Sequence, residues 1–552
     1  MTYTTHPFPH ATPLAAIWLG FLACSLHGSA LQGFWRIDDL WLLHYVSLHP
    51  QASGYFFSPM QWQALSVPFF TPWLVLDFRL DIVLFGPDPM PHYGRHLLVL
   101  LLAAWLTFVL LRPHAGWLWS TLGASLFLAG APTVVLAQQL MARHYADGLV
   151  FALLAILLWL HPNKVPKAGA GRWLASVCYL LSMLCKEVFA PLPMVLFFLM
   201  TGSFTTRMRA MLPLVVSALA FVLWRQSMIG TLVGGYSNSL ELSRFSTWVG
   251  TFPDIIFGQG WFVLVAIAGF LTALFVTLTA SRQAAMVTVS ALFALLLPLL
   301  AVAPVSEPLH YRLALLPFWG GCVLFAAGAA RLLKCTRLAP VRLMLFALLT
   351  AVPLAVALHG RAVAAEYAVI TSNLDAHGRF LFSHDTAVGY VPSGAAAGYI
   401  APAHALRQHY GEAGAPRPLP IPEYAEQYAP ELPVFSYQSD CRCMMPMHSM
   451  PTSRTFRAGL PAAVSIDRRD GGLRLTAEVP PTAACHLVFR DARLTLPVPC
   501  QAHVAFDPPN WVQGAVRMVV VYQTEWGASD WFDFPEKGTL QRWPRHTADP
   551  HL

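Results

Sequence analysis

Apolar segments recur along the first two thirds of the chain, separated by short polar connections. A helix that crosses the ~30 Å hydrocarbon layer of a membrane needs about 20 mostly apolar residues. Eleven segments approach that length, although Pro191 and Pro193 interrupt the sixth. The pattern therefore predicts about eleven transmembrane helices, near residues 13–33, 97–112, 117–138, 145–161, 172–185, 188–201, 210–225, 256–279, 284–304, 313–331 and 342–359.

The charges between these segments indicate how the chain is oriented, because short cytoplasmic loops are enriched in Lys and Arg. With the N-terminus inside, the predicted inner loops contain no Asp or Glu. All ten acidic residues of segment 1–360 fall in or beside a predicted outer loop. The basic residues of the inner loops are Arg112, Lys164, Lys167, Arg172, Arg207, Arg209, Arg282, Arg331, Lys334, Arg337 and Arg342. An odd number of helices then places the C-terminus outside.

The pattern changes near residue 360, which is the predicted domain boundary. Residues 1–360 are predicted to form a transmembrane domain with one long outer loop, 34–96. The segment 361–552 holds eighteen of the 28 Asp and Glu residues, and its later part alternates apolar and polar residues in VSID, LRLTAEV, HLVFRDARLTLPV and VRMVVVYQTEW. Such alternation is typical of strands. We predict an α-helical polytopic membrane protein with a mostly-β soluble domain on its outer side.

The amino-acid composition agrees with a membrane protein, and it also bears on which partners the protein binds and in which compartment it lies. Hydrophobic residues make up 56% of the chain and charged residues 11%, whereas soluble domains carry about 25% charged residues. The net charge of +7 has no basic run behind it, so no nucleic-acid partner is predicted. The inner-loop charge bias and the absence of Asn-x-Ser/Thr favour a bacterial inner membrane, with a cytoplasmic N-terminus and a periplasmic C-terminal domain.

Four cysteines lie in the predicted outer domain: Cys441, Cys443, Cys485 and Cys500. An even number in an oxidising compartment favours disulfides. Cys441 and Cys443 are expected to be too close to pair with each other, so each is predicted to pair with one of the other two. Free thiols and a metal site are the alternatives, although no His spacing completes a zinc set.

Two adjacent carboxylates, Asp38 and Asp39, follow the first predicted helix directly. Ionisable residues at membrane depth are costly and are functional candidates. Because like charges repel, the pKa of one carboxyl should be raised, which suits a general base acting on a hydroxyl or amine. A divalent metal could bind the pair. The alternative is a solvated acidic pair that only enforces topology.

A second cluster, Arg143 and His144, lies in the predicted outer turn between the third and fourth helices. The planar guanidinium matches the geometry of a phosphate group. The alternative is an ion pair between Arg143 and Asp147 at helical spacing. The cluster is therefore either a candidate phosphate site or a local structural pair.

Two further clusters complete the set. Lys186 and Glu187 lie in the apolar stretch SMLCKEVFAPLP, either as a structural ion pair or with the ammonium presented to an anionic lipid headgroup. Glu307, Tyr311 and Arg312 lie at the outer end of the ninth and tenth helices, where the alternative is a set of interface anchors. All four clusters map to one predicted face, so acid, base and phosphate-binding groups are predicted to form one pocket.

These motifs in this order resemble the GT-C superfamily of membrane glycosyltransferases over roughly residues 10–360. Asp38 and Asp39 stand where the acidic residues of the first outer loop stand in that superfamily. The segments LLSMLCKEVFAPLPMVLFF and EPLHYRLALLPFWG look like two segments of the subgroup related to TMTC-type protein O-mannosyltransferases. The second segment departs from the pattern, since Pro follows Glu307 and Tyr precedes Arg. Unlike in the TMTC proteins, no tetratricopeptide repeats follow.

The resemblance implies a polyprenyl-phosphate-linked sugar donor, an acceptor of unknown kind (protein, lipid or glycan), and inverting displacement at the anomeric carbon of the sugar. Asp38 or Asp39 is implied as the base, with Asp39 preferred. Cations beside the leaving phosphate would stabilise the charge that grows there, so no metal is required. The implied residues of the donor site are Arg143, His144, Lys186, Glu187, Glu307, Tyr311 and Arg312.

Three other functions compete with a glycosyltransferase. A flippase or transporter for lipid-linked glycans would have polar residues near the membrane midplane, whereas these charges lie at the predicted outer rim. A lipid-linked glycan ligase or polymerase uses a long later loop rather than an acidic first loop. A membrane assembly factor without catalysis predicts that the acidic pair is replaceable and that the C-terminal domain is not.

Overall fold

The computed structural model divides the chain into two compact units. The first contains Met1–Gly33 and Tyr45–Val369, and the second contains Phe34–His44 and Ile370–Leu552. The residues that the structure describes are 11–36, 38–63, 65, 69–160, 170–200, 202–232, 242–298, 308–336, 338–383, 388–392, 403, 406–407, 416–428, 431–447, 454–457, 464–467, 473–477, 479–480, 482–490, 494–498, 500–504, 515–533 and 540–543.

The first unit is built from helices. In chain order these are α1 (Ala11–His27), α2 (Asp39–Leu48), α3 (Ala52–Phe57), α4 (Pro59–Gln63), α5 (Pro72–Phe85), α6 (Pro89–Ala129), α7 (Ala131–Ala137), α8 (His144–Leu160), α9 (Ala170–Cys185), α10 (Leu192–Leu199), α11 (Phe204–Ile229), α12 (Leu242–Phe257), α13 (Trp261–Thr279), α14 (Arg282–Leu296), α15 (Leu315–Cys335) and α16 (Ala339–Ser383). Short 3-10 helices cover Gly28–Gln32, Leu140–Ala142, Glu187–Phe189 and Pro308–Ala314. The start of α2 and the end of α16 belong to the second unit, so the boundary predicted near residue 360 falls inside a continuous helix.

Within the described residues, six helical segments are long and apolar enough to cross a membrane. They are Thr12–Gln32, Pro89–Ala129, Leu140–Leu160, Phe204–Ile229, His310–Cys335 and Ala339–Ser383. Shorter apolar helices cover Ala170–Cys185, Glu187–Leu199, Val263–Thr279 and Arg282–Leu296. Every apolar segment predicted from the sequence overlaps a helix, which confirms the helical membrane-protein class. The number of about eleven transmembrane helices stays a prediction.

A glycine divides the longest apolar helix of the first half of the chain. Inside α6, a range of 41 residues, Gly116 has φ 75° and ψ 178°. A backbone with positive φ is open to glycine at little cost and is strained for other residues. The range therefore consists of two helical pieces, which correspond to the predicted segments 97–112 and the first part of 117–138.

Close helix contacts in the first unit require small residues. A Cβ atom on Gly328 of α15 would lie 2.1 Å from the carbonyl oxygen of Ala273 in α13, so the two backbones can approach only because this position is glycine. Elsewhere on α15, the Trp319 indole N–H donates to the Thr107 hydroxyl of α6 at 2.9 Å. Glycine contacts and interhelical hydrogen bonds are the means by which helices associate in an apolar medium.

The second unit contains a helix, α17 (Pro422–Tyr428), and strands that pair into sheets. The strands are β1 (Gly389–Val391), β2 (Arg417–Pro418), β3 (Val434–Gln438), β4 (Cys443–Pro446), β5 (Thr455–Phe456), β6 (Val464–Asp467), β7 (Leu473–Ala477), β8 (Ala484–Phe489), β9 (Leu494–Val498), β10 (Gln501–Val504), β11 (Ala515–Tyr522), β12 (Glu525–Ala528), β13 (Phe532–Asp533) and β14 (Leu540–Trp543). Their orders are β2-β1-β3-β4, β10-β7-β6-β14 and β5-β12-β11-β8-β9, with β13 beside β11.

The alternating segments predicted a C-terminal domain that contains strands, and the structure confirms this prediction. VSID is β6, and LRLTAEV contains β7. HLVFRDARLTLPV covers most of β8 and all of β9, which are antiparallel, and VRMVVVYQTEW covers most of β11 and the first two residues of β12. Val516, Val519 and Val520 of β11 are fully buried. Because neighbouring residues of a strand point to opposite faces, this strand is covered on both sides.

The predicted disulfide pairing is wrong. Cys441 is bonded to Cys443, and Cys485 is bonded to Cys500. The first pairing is reachable because Arg442 adopts a left-handed backbone with φ 52°, which leaves the flanking Cα atoms 5.2 Å apart, within the usual range for a disulfide. The second pairing follows from the β8–β9 register, which places Cys485 opposite Val498, two residues before Cys500.

Candidate functional site

A buried network of charges surrounds Arg143, one of the predicted phosphate ligands. Arg143 Nε lies 2.7 Å from Asp77 Oδ2, and its Nη1 donates to Asp81 Oδ2. Arg95 also bonds both of these carboxylates. Arg143, Asp77 and Asp81 are at most 1% exposed. Buried ions are stable only when they are paired, and this arginine is held by carboxylates.

Asp147, the alternative partner predicted for Arg143, is only one of the carboxylates that surround this arginine. Arg143 Nε lies 4.0 Å from Asp147 Oδ2, farther than it lies from Asp77. Asp77 and Asp81 are four residues apart on α5, so both face one side of that helix. That spacing within WLVLDFRLDIVLF was the sequence signal for this network, and it was missed. Arg143 is committed to these carboxylates in the structure.

Lys186 is in a different situation from Arg143. It follows α9, is 5% exposed, and places its ammonium 3.5 Å from the centre of the Phe69 ring and 5.6 Å from that of Tyr145. In the part of the chain that the structure describes, no hydrogen bond or ion pair reaches the ammonium. Burial lowers the pKa of Lys186 to about 7, against the raising effect of Glu187 and with the further lowering effect of Arg312.

Glu187, the sequence neighbour of Lys186, is engaged elsewhere. Its Oε1 accepts Arg225 Nε at 2.6 Å and the backbone N–H of Phe70 at 3.1 Å. The structural ion pair weighed for the Lys-Glu motif therefore exists, but its cation is Arg225 of α11. Nothing in the local sequence pointed to a partner 38 residues away.

Arg312 and His144 lie in the neighbourhood of Lys186. Arg312 is in the 3-10 helix Pro308–Ala314 and is 6% exposed. Lys186 and Arg312 both interact electrostatically with His144, whose Nδ1 is 2.9 Å from the carbonyl oxygen of Met141. Tyr311 is partly buried against the core of the first unit. The structure thus brings Lys186, Arg312 and His144 together, their role as donor ligands stays a prediction, and Glu307 lies outside the described residues.

An apolar cavity of about 390 Å³ lies in the same unit. Its walls include Trp248 of α12, Phe270 of α13, Leu295 of α14, Phe318 of α15 and Val356 of α16. Phe318 is six residues beyond Arg312, in the first turn of α15, which directly follows the 3-10 helix of Arg312. An apolar cavity without polar walls suits a hydrocarbon chain rather than a sugar.

The acidic pair belongs to the second unit. Asp39 is fully buried, and its Oδ2 accepts the backbone N–H of Arg36 at 2.8 Å. Asp38 is exposed at the start of α2. The two carboxylates thus have different environments, with Asp39 closing a turn and Asp38 facing outward.

A distant residue anchors this turn. Asp375, near the end of α16, accepts Arg36 Nε at 2.7 Å and Arg36 Nη2 at 2.6 Å, which is a bidentate pair. The backbone N–H of Phe34 also donates to Asp375 at 3.0 Å. Sequence reasoning missed Asp375, because it lies 339 residues from Arg36. The single pocket predicted for all four clusters stays a prediction, since the acidic pair and the cations lie in separate units.

A metal at Asp38 and Asp39 also stays a prediction. Among the described residues, no group of three or more His, Cys, Asp or Glu side chains could hold a metal ion. The Asp77 and Asp81 carboxylates are already bonded by two arginines. The charges of Asp77 and Asp81 are therefore balanced by arginine side chains.

Fold and site together define the class of protein: a helical membrane-type chain with a strand-containing C-terminal domain. No family model and no curated protein matches the chain. It is similar to the crystal structure of ArnT from Cupriavidus metallidurans in the apo state, at 13% identity and TM-score 0.42 over 76% of this chain and 92% of that chain. The crystal structure of the same ArnT bound to undecaprenyl phosphate shares 14% identity with the chain at TM-score 0.43, over 77% of this chain and 93% of that chain.

A second solved protein is also similar. The archaeal oligosaccharyltransferase of Archaeoglobus fulgidus, in the apo form, shares 11% identity at TM-score 0.44, over 77% of this chain and 69% of that chain. A likeness at TM-scores below 0.5 carries no functional weight, so the residues of this chain decide what is proposed.

Proposed function

We propose that this protein is a membrane glycosyltransferase that moves a sugar from a polyprenyl-phosphate-linked donor to an acceptor at the outer face of the membrane. The observation that carries the proposal is the buried ammonium of Lys186, beside Arg312 and without a carboxylate partner in the described residues. A buried cation is costly unless an anion accompanies it. A phosphate group bound there would supply that anion.

The apolar cavity supports a lipid-linked donor rather than a soluble sugar nucleotide. Its walls come from α6 and from helices α12 to α16, and Phe318 at its wall follows Arg312 by six residues. A phosphate at Lys186 and Arg312 would leave an attached prenyl chain close to this apolar surface. Burial of hydrocarbon provides about 0.8 kcal/mol for each CH₂ group, so even part of the chain would add affinity.

The reaction is an inverting displacement. The acceptor oxygen or nitrogen bonds to the anomeric carbon as the bond from that carbon to the donor phosphate oxygen breaks. Asp38 takes the acceptor proton, and it is preferred to Asp39 because Asp39 is buried and holds the turn at Arg36. Lys186 and Arg312 stabilise the charge that grows on the leaving phosphate. His144 and Tyr311 complete the surroundings, while Glu187, which is bonded to Arg225, and Arg143 are structural in this mechanism.

The finer assignments belong to the same proposal. The membrane is a bacterial inner membrane, the N-terminus is cytoplasmic, and the C-terminal domain is periplasmic, on the basis of the positive charges in the inner loops. The domain boundary near residue 360 and the outer loop 34–96 are part of this topology. The acceptor is a protein, a lipid or a glycan.

The test compares glycans by mass spectrometry in a deletion strain that carries the wild-type gene, the Asp38→Asn variant or the Asp440→Asn variant, at matched membrane levels. Asp440 is an exposed carboxylate of the same unit. We expect one sugar increment to disappear on deletion and to return with the wild type and Asp440→Asn only. Full restoration by Asp38→Asn would remove the catalytic assignment and bring the transport and assembly functions forward.

A further inference from the structure

Lys186 and Glu187 are neighbours in sequence but not in pairing. The backbone at Lys186 is extended, with φ −158° and ψ 136°. Successive side chains of an extended backbone point to opposite sides. The ammonium accordingly lies on the Phe69 ring, while the carboxylate turns toward α11.

The Glu187 carboxylate is held in this direction by two donors on separate elements. Arg225 Nε bonds Oε1 at 2.6 Å, and the Phe70 N–H bonds the same oxygen at 3.1 Å. Arg225 is 2% exposed, near the C-terminal end of α11. Its Nη1 donates to the carbonyl oxygen of Thr231 and, at 3.2 Å, to the hydroxyl of that residue. The guanidinium is therefore fixed on both sides.

Removal of Arg225 would leave a partly buried carboxylate, with its side chain 20% exposed, without its cation, which is an unfavourable state. The cation already in electrostatic contact with Glu187 is Lys186, and its four-carbon side chain is flexible. A new pair between these neighbours would satisfy the carboxylate. It would also occupy the ammonium.

We propose that Arg225 is a positioning residue that keeps the Glu187 carboxylate off Lys186, so that the ammonium stays available to the phosphate of a lipid-linked donor. This inference rests on the proposed function, because it takes Lys186 as an anion ligand. It assigns the Lys-Glu motif two separate tasks: one residue for the ligand and one for the scaffold.

The test measures the affinity of the purified full-length protein in detergent for undecaprenyl phosphate at pH 6.0, where Lys186 is protonated. The variants are Arg225→Gln, Glu187→Gln, the double variant, and Arg209→Gln as a control on the exposed surface of the same helix. We expect Arg225→Gln to weaken binding by about tenfold, the scale of one lost charged hydrogen bond. The double variant should return to within about threefold of the wild type, because no competing carboxylate remains.

The outcomes separate the two proposals. Absence of binding by the wild type overturns the proposed function. Binding by the wild type with no loss in Arg225→Gln, or a loss that Glu187→Gln does not restore, overturns the positioning role and leaves the proposed function standing. If Arg225→Gln does not fold, Arg225→Lys replaces it. Its shorter ammonium should give a smaller loss that Glu187→Gln again restores, and a loss that persists in the double variant overturns the inference.

Discussion

Two buried cations of the first unit, Arg143 and Lys186, show how differently a membrane-type fold can use the same kind of charge. Arg143 is bonded to Asp77 and Asp81 and lies 4.0 Å from Asp147. Lys186 lies on an aromatic ring, and its neighbouring carboxylate is bonded to another residue. Both were predicted as phosphate ligands from sequence. The comparison shows that a buried cation stays available to a ligand when the neighbouring carboxylates are bonded to other residues.

The largest expected effect comes from Arg143→Met. The change would leave Asp77, Asp81 and Asp147 buried with Arg95 as their remaining arginine. Breaking a buried ion pair by removing one partner costs about 3–5 kcal/mol in the free energy of unfolding. We expect loss of the folded peak in size-exclusion chromatography and a lower Tm, with Arg209→Met unchanged. Asp81→Asn in the same chain should restore part of the stability. An Arg143→Met protein that is stable but inactive would instead place Arg143 in the donor site.

Lys186→Met should have the opposite signature. It removes a buried ammonium that has no carboxylate partner in the described residues, so stability should be kept or raised. Affinity for undecaprenyl phosphate should fall by about 10- to 100-fold, the range for losing hydrogen bonds to a charged group. Lys334→Met, an exposed position at the end of α15, is the matched control. A destabilised variant with normal affinity would make Lys186 structural and erase the contrast with Arg143.

Asp375→Asn extends the comparison to the second unit, where Asp375 is committed to Arg36 and Asp38 is exposed. The variant weakens the bidentate pair that anchors the turn of Asp38. Misplacement of a reacting group by about 1 Å can cost 100-fold in rate, and we expect about a tenfold lower kcat from this partial loosening. The affinity for the donor lipid should not change, which binding measurements on the same sample check. A change in lipid affinity with kcat intact would argue against the anchoring role.

The smallest expected effect, when it is measured over a single pH unit, is a pH dependence. The pKa of Lys186 is lowered from its ordinary value to about 7. Between about 7 and 10.5 the unfolded chain binds more protons at this residue than the folded chain, so the free energy of unfolding should rise with pH there. Affinity for undecaprenyl phosphate should fall over the same range, by less than about tenfold for each pH unit. In Lys186→Arg both trends should flatten, and unchanged slopes would contradict the assignment.

Much of the architecture could be read from the sequence because it depends on local patterns. The apolar segments predicted the helices, and alternation predicted β6 to β9, β11 and the start of β12 in the C-terminal unit. The Lys-Glu motif pointed to Lys186, the Arg-His cluster to His144 and the Tyr-Arg segment to Arg312, and the fold brings these three residues together. These features can be predicted from the sequence because hydrophobic periodicity and short motifs depend on residues that are close together along the chain.

The sequence did not predict which side chains form ion pairs and disulfides with each other. The chain by itself determined which segments are apolar helices and which are strands, since burial against lipid or against a core demands those patterns. Only the tertiary structure decided that Arg143 is bonded by Asp77 and Asp81, that Cys441 is bonded to Cys443, and that Glu187 turns to Arg225 rather than to Lys186. The fold brings together ion-pair and disulfide partners that lie apart in sequence. Their positions along the chain therefore do not indicate which cation stays available to a ligand.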